Sequence, residues 1–305
     1  MESHPRISQL LLETQAYRDL DNPVILTSGE LGIYYINTEK LVQDNGKFEE
    51  YGDDSRAMIE HAVEMMDEHS SFGEVIDILA EKVVRLLRDS NSNNSPAISG
   101  GQRRDWLFSG PVAYKLGIRH ISVYKEGEIE IVSPGLEVDY HYSLNGKRAV
   151  HISDLLTEGS SCYRVENGEE RGWIPSLRGK GVKVNDLIAV VTRLQGGEEN
   201  LARQQVIVHP FVAIDEDFLK KYSKNPERAV AYLKNPGEWS EAYLRENGAL
   251  VLLPNFDPKG GKLDRARKFC GRYADVLGQA ERLGELARAT KEKFDCDLIE
   301  LVGGK

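Results

Sequence analysis

The residues with the clearest capacity for chemistry lie between Ala149 and Ser161, which reads AVHISDLLTEGSS. An apolar strand-like run meets an acid, Asp154, and then breaks into Thr157, Glu158, Gly159, Ser160 and Ser161. A glycine free to take a positive φ, two hydroxyls and successive backbone N–H groups at the start of a helix can cradle a phosphate. The same composition also suits a plain strand-to-helix turn whose small residues only close a corner, and both readings stand at this point. A second candidate is Arg103-Arg104, just after the glycine pair Gly100-Gly101. Two guanidinium groups can grip phosphate oxygens, or they can form a solvated pair at a helix start.

Positioning such groups takes a rigid frame. Helical spacing of apolar residues from Asp54 to Asp89 predicts two helices broken near Ser70 to Gly73. The polar stretch DSNSNNSP leads to a strand at Ala97 to Ser99 and a helix over Trp106 to Leu116. Further strands are predicted at His120 to Tyr124, Ala149 to Ser153 and Leu187 to Thr192. Strands separated by helical connections predict an α/β fold with a parallel sheet covered on both faces. Between Glu126 and Arg148 the pattern alternates, and Pro134-Gly135 and Asn145-Gly146 punctuate it. This predicts a β-meander. From Asp215 onward prolines separate helical segments, and one or two long helices are expected over Lys262 to Phe294. The expected division is residues 1–222 and a helical C-terminal extension, 223–305.

Composition excludes several classes. The 305 residues are 40% hydrophobic and 29% charged, ordinary for a folded soluble protein. A net charge of -10 opposes broad contact with nucleic acid but permits a local basic pocket. No apolar run is long enough to span a bilayer, so a cytoplasmic protein without a membrane or nucleic-acid partner is expected. The 3 cysteines, Cys162, Cys270 and Cys296, are too scattered for a zinc site or disulfide framework and are expected as reduced thiols.

HISDLLTEGSS resembles the phosphoribosyl diphosphate (PRPP) motif of the class I phosphoribosyltransferases. Three further segments, LTSGELGIYYIN, VYKEG and RLQGGEENL, stand in the order found in orotate phosphoribosyltransferases. The resemblance runs from about Leu26 to Asp215. It implies that Thr157, Glu158, Gly159, Ser160 and Ser161 hold the ribose 5′-phosphate, that Asp154 faces the ribose hydroxyls, and that Lys125 belongs to the base of a catalytic lid. It also implies that Arg103 and Arg104 meet the diphosphate, and that Ser28, Tyr34, Tyr35 and Arg193 form the base site. Mg²⁺ would arrive on the PRPP diphosphate, with no protein cage of its own, and a homodimer is expected.

The sequence departs from the family pattern in three places. Ser153 stands where the first of two acids belongs. Thr27 and Glu30 replace two cations of the base-site segment, which disfavours an anionic base. The lid region carries Glu126, Glu128, Glu130, Glu137 and Asp139, so a stable meander is expected in place of a mobile basic lid. His141 reads as a surface histidine there. The leading expectation is transfer of ribose 5-phosphate from PRPP to a pyrimidine-type, orotate-like base. The alternatives are a non-catalytic PRPP- or nucleotide-binding regulator and a structural member that binds no phosphate.

Overall fold

The computed structural model describes residues 3–26, 28–88, 96–258, 262–279 and 281–303. The polar stretch after Arg88 and Thr27 lie outside the described residues. The chain begins with helix α1 (Pro5–Glu13) and a hairpin of β1 (Tyr17–Ile25) and β2 (Leu31–Ile36). A 3-10 turn (Thr38–Leu41) follows, then α2 (Ser55–Glu68), α3 (Ser70–Arg88), β3 (Ala97–Gly101), α4 (Trp106–Leu116) and β4 (Arg119–Val123). Next are β5 (Ile129–Val132), β6 (Arg148–Leu156), a ribbon of β7 (Arg164–Glu166) and β8 (Glu169–Arg171), and α5 (Trp173–Gly179). The frame closes with β9 (Lys183–Thr192), α6 (Gly197–Arg203) and β10 (Ile207–Ala213). Helices α7 (Glu216–Tyr222), α8 (Pro226–Lys234), α9 (Pro236–Asn247), α10 (Lys262–Arg272), α11 (Ala274–Leu277), α12 (Arg282–Phe294) and α13 (Leu298–Gly303) come last.

Contacts group the chain into two compact units: residues 1–16 with 37–215, and residues 17–36 with 216–305. The first unit is built on a six-stranded sheet of order β10-β9-β6-β3-β4-β5. Its first five strands are parallel, and only β5 runs antiparallel, against β4. The expected parallel sheet is therefore present, with β6 near its middle. In β6 and β9 Ala149, Val150, Ile152, Leu187, Ile188, Val190 and Val191 are all fully buried, as strands covered on both faces require. Helix α2 starts at Asp54, whose side chain accepts from the amide of Ala57 2.9 Å away, and the α2–α3 break falls at His69. The approach of α4 to Gly100 and of Trp173, at the start of α5, to Gly101 explains the glycine pair. A Cβ on Gly100 would sit 2.1 Å from Ser109 Oγ, and one on Gly101 2.2 Å from Trp173.

Four expectations are corrected. The phosphate-like loop does not open a helix: β6 leads through a turn into the β7–β8 ribbon, and α5 begins only at Trp173. Asn167-Gly168, with both residues at positive φ (54° and 81°), closes that ribbon. The meander is incomplete. β5 pairs with β4, and a single bridge joins Val132 to Val138, but no strand follows until β6. Side chains take over there, since Asp139 pairs with Arg119 at 3.0 Å and the Arg119 guanidinium lies over the Tyr142 ring at 4.1 Å. The edge strand β10 was not anticipated. Residues 262–294 form three helices rather than one or two.

The second unit gathers Ile25 and Leu31 of the hairpin with Leu244, Leu252, Phe256 and Phe269 in one apolar cluster. By contact, residues 17–36 thus go with the C-terminal helices and not with the first 222 residues. No described helix is long and apolar enough to cross a membrane.

Candidate active site

In the first unit the loops after β3, β4, β6 and β9 emerge from the same carboxyl edge of the parallel sheet, where open α/β sheets gather their ligands. The loop after β6 has a specific hydrogen-bond pattern. Its carbonyls are all engaged: Thr157 O by Gly197 N at 3.0 Å, Glu158 O by Asn200 Nδ2 at 3.4 Å, and Gly159 O by the amides of Cys162 and Tyr163 at 3.0 and 2.9 Å. Ser160 O accepts from Arg164 Nη1 at 3.4 Å, and Ser161 O from Trp173 N at 3.0 Å. The amides of Glu158, Gly159, Ser160 and Ser161 donate to no group among the described residues. Gly159 takes φ +74°, and a Cβ there would lie 3.2 Å from Gly197 Cα, while one on Gly197 would lie 2.5 Å from Thr157 O. The RLQGG segment is thus the wall against which the loop is pressed. A nest of unpaired amides held by engaged carbonyls is a site for an anion.

Asp154 lies near the end of β6, just before this loop, and is 7% exposed. Thr38 Oγ1 donates to its Oδ2 at 2.5 Å, and Arg104 Nη1 stands 3.9 Å from the same oxygen. Glu39 holds the other side of that guanidinium, at 3.4 Å from Nε. Burial pushes the Asp154 carboxyl up to about 7, helped by the charge of Asp105 and opposed by Arg104 and Thr38.

Asp105 was not singled out from sequence, yet it ties the site together. Its Oδ2 accepts from Gly101 N at 3.0 Å and its Oδ1 from Asp154 N at 2.9 Å, so one carboxylate fixes the turn after β3 to the end of β6. Burial would raise its pKa, but hydrogen bonding and charge from His151 bring it below the usual aspartate range. His151 is fully buried, bonded through Nδ1 to Ser99 Oγ at 3.0 Å, with Nε2 3.6 Å from Asp105. Beside it His120 lies between Ser109 and Ser122, and burial lowers its pKa to about 3. The signal available for Asp105 was its place straight after the arginine pair. Thr38 and Glu39 carried none, because their contacts are far away in sequence.

The predicted residues divide between the two units. Arg103, Arg104, Lys125, Thr157 to Ser161 and Arg193 belong to the loops at the carboxyl edge of the first unit's sheet, and Asp154 to the end of β6 at the same edge. Arg104 faces Asp154, whereas Arg103 donates to Gly52 O at 3.0 Å. Lys125 is exposed, and its amide donates to Gln102 Oε1 at 2.9 Å, joining the β4 loop to the β3 loop. Arg193 N donates to Leu156 O at 2.9 Å. Ser28, Tyr34 and Tyr35 belong to the second unit. There Tyr34 is buried between the rings of Tyr17 and Tyr232, and Tyr35 is 37% exposed with Arg18 over its ring. In the Ser28 turn Glu30 pairs with Arg272 of α10 at 3.0 Å, and Gly29 packs against the Lys268 backbone.

An adenine phosphoribosyltransferase of Clostridium tetani is 33% identical over 147 residues, which covers 42% of this chain and 81% of that protein. The chain belongs to the class I phosphoribosyltransferase family. A second adenine phosphoribosyltransferase, from Carboxydothermus hydrogenoformans, is 28% identical over 155 residues, covering 47% of this chain and 82% of the relative. Among solved structures, the orotate phosphoribosyltransferase of Aeropyrum pernix is 20% identical with a TM-score of 0.47, over 70% of this chain and 98% of that one. An adenine phosphoribosyltransferase structure from Thermoanaerobacter pseudethanolicus is 17% identical with a TM-score of 0.37, over 60% and 89%. No family model matches the chain.

Proposed function

We propose that this phosphoribosyltransferase transfers ribose 5-phosphate from PRPP to a nucleobase and releases diphosphate. The observation that carries the proposal is the loop after β6, where four consecutive amides, Glu158 to Ser161, find no partner among the described residues while every carbonyl from Thr157 to Ser161 is engaged. These amides hold the 5′-phosphate. Asp154, at the head of the loop, faces the ribose hydroxyls and, once ionised, stabilises the positive charge that grows on the ring as the bond to diphosphate breaks. Arg104 neutralises the departing diphosphate, with Arg103 and Lys125 as further cations at the same edge. Positioning and charge do the work, since the ribosyl cation needs no strong nucleophile from the protein. Mg²⁺ enters as part of the substrate, bound through diphosphate oxygens and water.

For the acceptor, the resemblance of the LTSGELGIYYIN segment, with Ser28, Tyr34 and Tyr35, supports a pyrimidine-type, orotate-like base. Glu30 alone would repel an anionic base, but Arg272 at 3.0 Å offsets its charge. The second reading is an adenine-type base, favoured by the adenine phosphoribosyltransferases named among the sequence relatives. The protein works in the cytoplasm, as a homodimer.

Diphosphate release from PRPP and Mg²⁺, measured with orotate, uracil, adenine and hypoxanthine in turn, tests the proposal. Turnover with one base is the expected result. PRPP binding without turnover on any base would instead make the chain a sensor of PRPP, and absence of both would overturn the reading.

A further inference from the structure

The β7–β8 ribbon stands where a helix was expected to start, and packing does not account for it. All six of its strand residues are exposed, so it buries no apolar face, and isolated two-stranded ribbons are marginal. Both of its ends close on the anion loop. It leaves from Arg164, whose Nη1 donates to Ser160 O at 3.4 Å. It returns through Gly172, and the next two amides, Trp173 and Ile174, donate to Ser161 O and Cys162 O, each at 3.0 Å. A Cβ on Gly172 would lie 2.7 Å from both of those carbonyls.

Charge along the ribbon is sorted. The cross-strand pairs are Arg164 with Arg171, Val165 with Glu170, and Glu166 with Glu169. The two arginines thus oppose each other at the end joined to the loop, and two acids oppose each other at the tip. Like charges directly opposite are destabilising. Each arginine leans on its own strand's acid, Arg164 on Glu166 at 3.3 Å and Arg171 on Glu169 at 2.9 Å, and such exposed pairs contribute little. A doubled cation beside a nest of unpaired amides is the arrangement an anion stabilises.

We infer that Arg164 is a positioning residue for the ribose 5′-phosphate. The inference rests on the reading of Thr157 to Ser161 as the phosphate loop. Within one peptide unit the carbonyl and the N–H point in opposite directions. A guanidinium on Ser160 O therefore holds the Ser160–Ser161 peptide with its amide toward the anion and places positive charge behind that dipole. Arg164 acts through the peptide and does not touch the phosphate. Arg171 adds its charge at the same end of the ribbon, and Glu166 competes for the Arg164 guanidinium.

The test is the affinity for ribose 5-phosphate of the full chain and its Arg164→Gln, Arg164→Lys, Glu166→Gln and doubly substituted Arg164→Gln/Glu166→Gln variants, at low and high salt. Arg164→Gln should weaken binding about five- to tenfold at low salt, with the loss shrinking as salt screens the charge. Arg164→Lys should recover most of it. Glu166→Gln should tighten binding about two- to threefold when Arg164 is present and have no effect when it is absent. Diphosphate affinity should stay unchanged throughout. Three results would overturn the inference while the wild type still binds ribose 5-phosphate: Arg164→Gln within twofold of wild type, a salt-independent loss that lysine fails to rescue, or an equal effect of Glu166→Gln with and without Arg164. A wild type that does not bind would remove the phosphate-loop reading itself, and the inference with it.

Discussion

Asp154 must be ionised to stabilise a ribosyl cation, yet its surroundings favour the neutral acid. Burial and the neighbouring Asp105 lift its pKa to about 7, against roughly 3.9 for an unfolded aspartate. Between those values the native state holds a proton that the unfolded chain has released, so stability falls as pH rises across the window and stays low above it. Asp154→Asn removes that dependence. The thermal stability of the variant relative to wild type should therefore rise from pH 5 to pH 8, and a pH-independent difference would contradict the burial argument. Turnover should run the other way in wild type, rising through pH 7 as the carboxylate forms, and it should fall about a hundredfold in the variant. His120 has the opposite sign. Its lowered pKa, about 3, means that stability is lost as pH falls from the ordinary histidine range toward that value.

At the scale of elements, the anion loop depends on the β9–α6 turn pressed against it. Gly197→Ala would bring a methyl to 2.5 Å from Thr157 O and 3.1 Å from Gly159 N. The variant should lose at least tenfold in ribose 5-phosphate affinity at a stability cost of about 1–3 kcal/mol, with the sheet intact. Unchanged affinity would show that this wall does not shape the loop. The region before β6 gives a second test. Asp139 N donates to Ile131 O at 2.8 Å and His141 N to the Asp139 carboxylate at 3.2 Å, but the amides of Tyr140, Ser143 and Leu144 find no acceptor among the described residues. Hydrogen exchange should be slow at Asp139 and fast at Tyr140, Ser143 and Leu144, and uniform protection across 137–142 would restore the full meander. These elements also mark how far the sequence could be read. The central strands, α4 and the α2–α3 break were legible because burial on two faces and helical spacing write themselves into apolar patterns. The Asn145-Gly146 signal gave its turn, closed by Lys147 N on Leu144 O at 3.0 Å, but not a hairpin, because Gly146 N bonds to Gly181 O and no strand precedes the turn. Asp105, Thr38 and Arg164 were not legible as site residues, since their partners are set by tertiary approach or by a carbonyl that pattern does not reveal.

On the scale of the whole molecule, a net charge of -10 coexists with a local anion site because the loop uses backbone amides, which carry no formal charge, and only a few arginines. The residues proposed to hold PRPP lie on one sheet edge of the first unit, while Ser28, Tyr34 and Tyr35 belong to the second, where Arg272 returns a cation to the Glu30 turn. No motif in the segment itself announced that pairing. The central claim is that the amides of Glu158 to Ser161 grip the 5′-phosphate, and backbone amide NMR during titration with ribose 5-phosphate, with ribose as control, tests it most directly. Those four amides should show large, saturable downfield shifts with ribose 5-phosphate and none with ribose. Turnover of PRPP with those four amides unmoved by ribose 5-phosphate would contradict it.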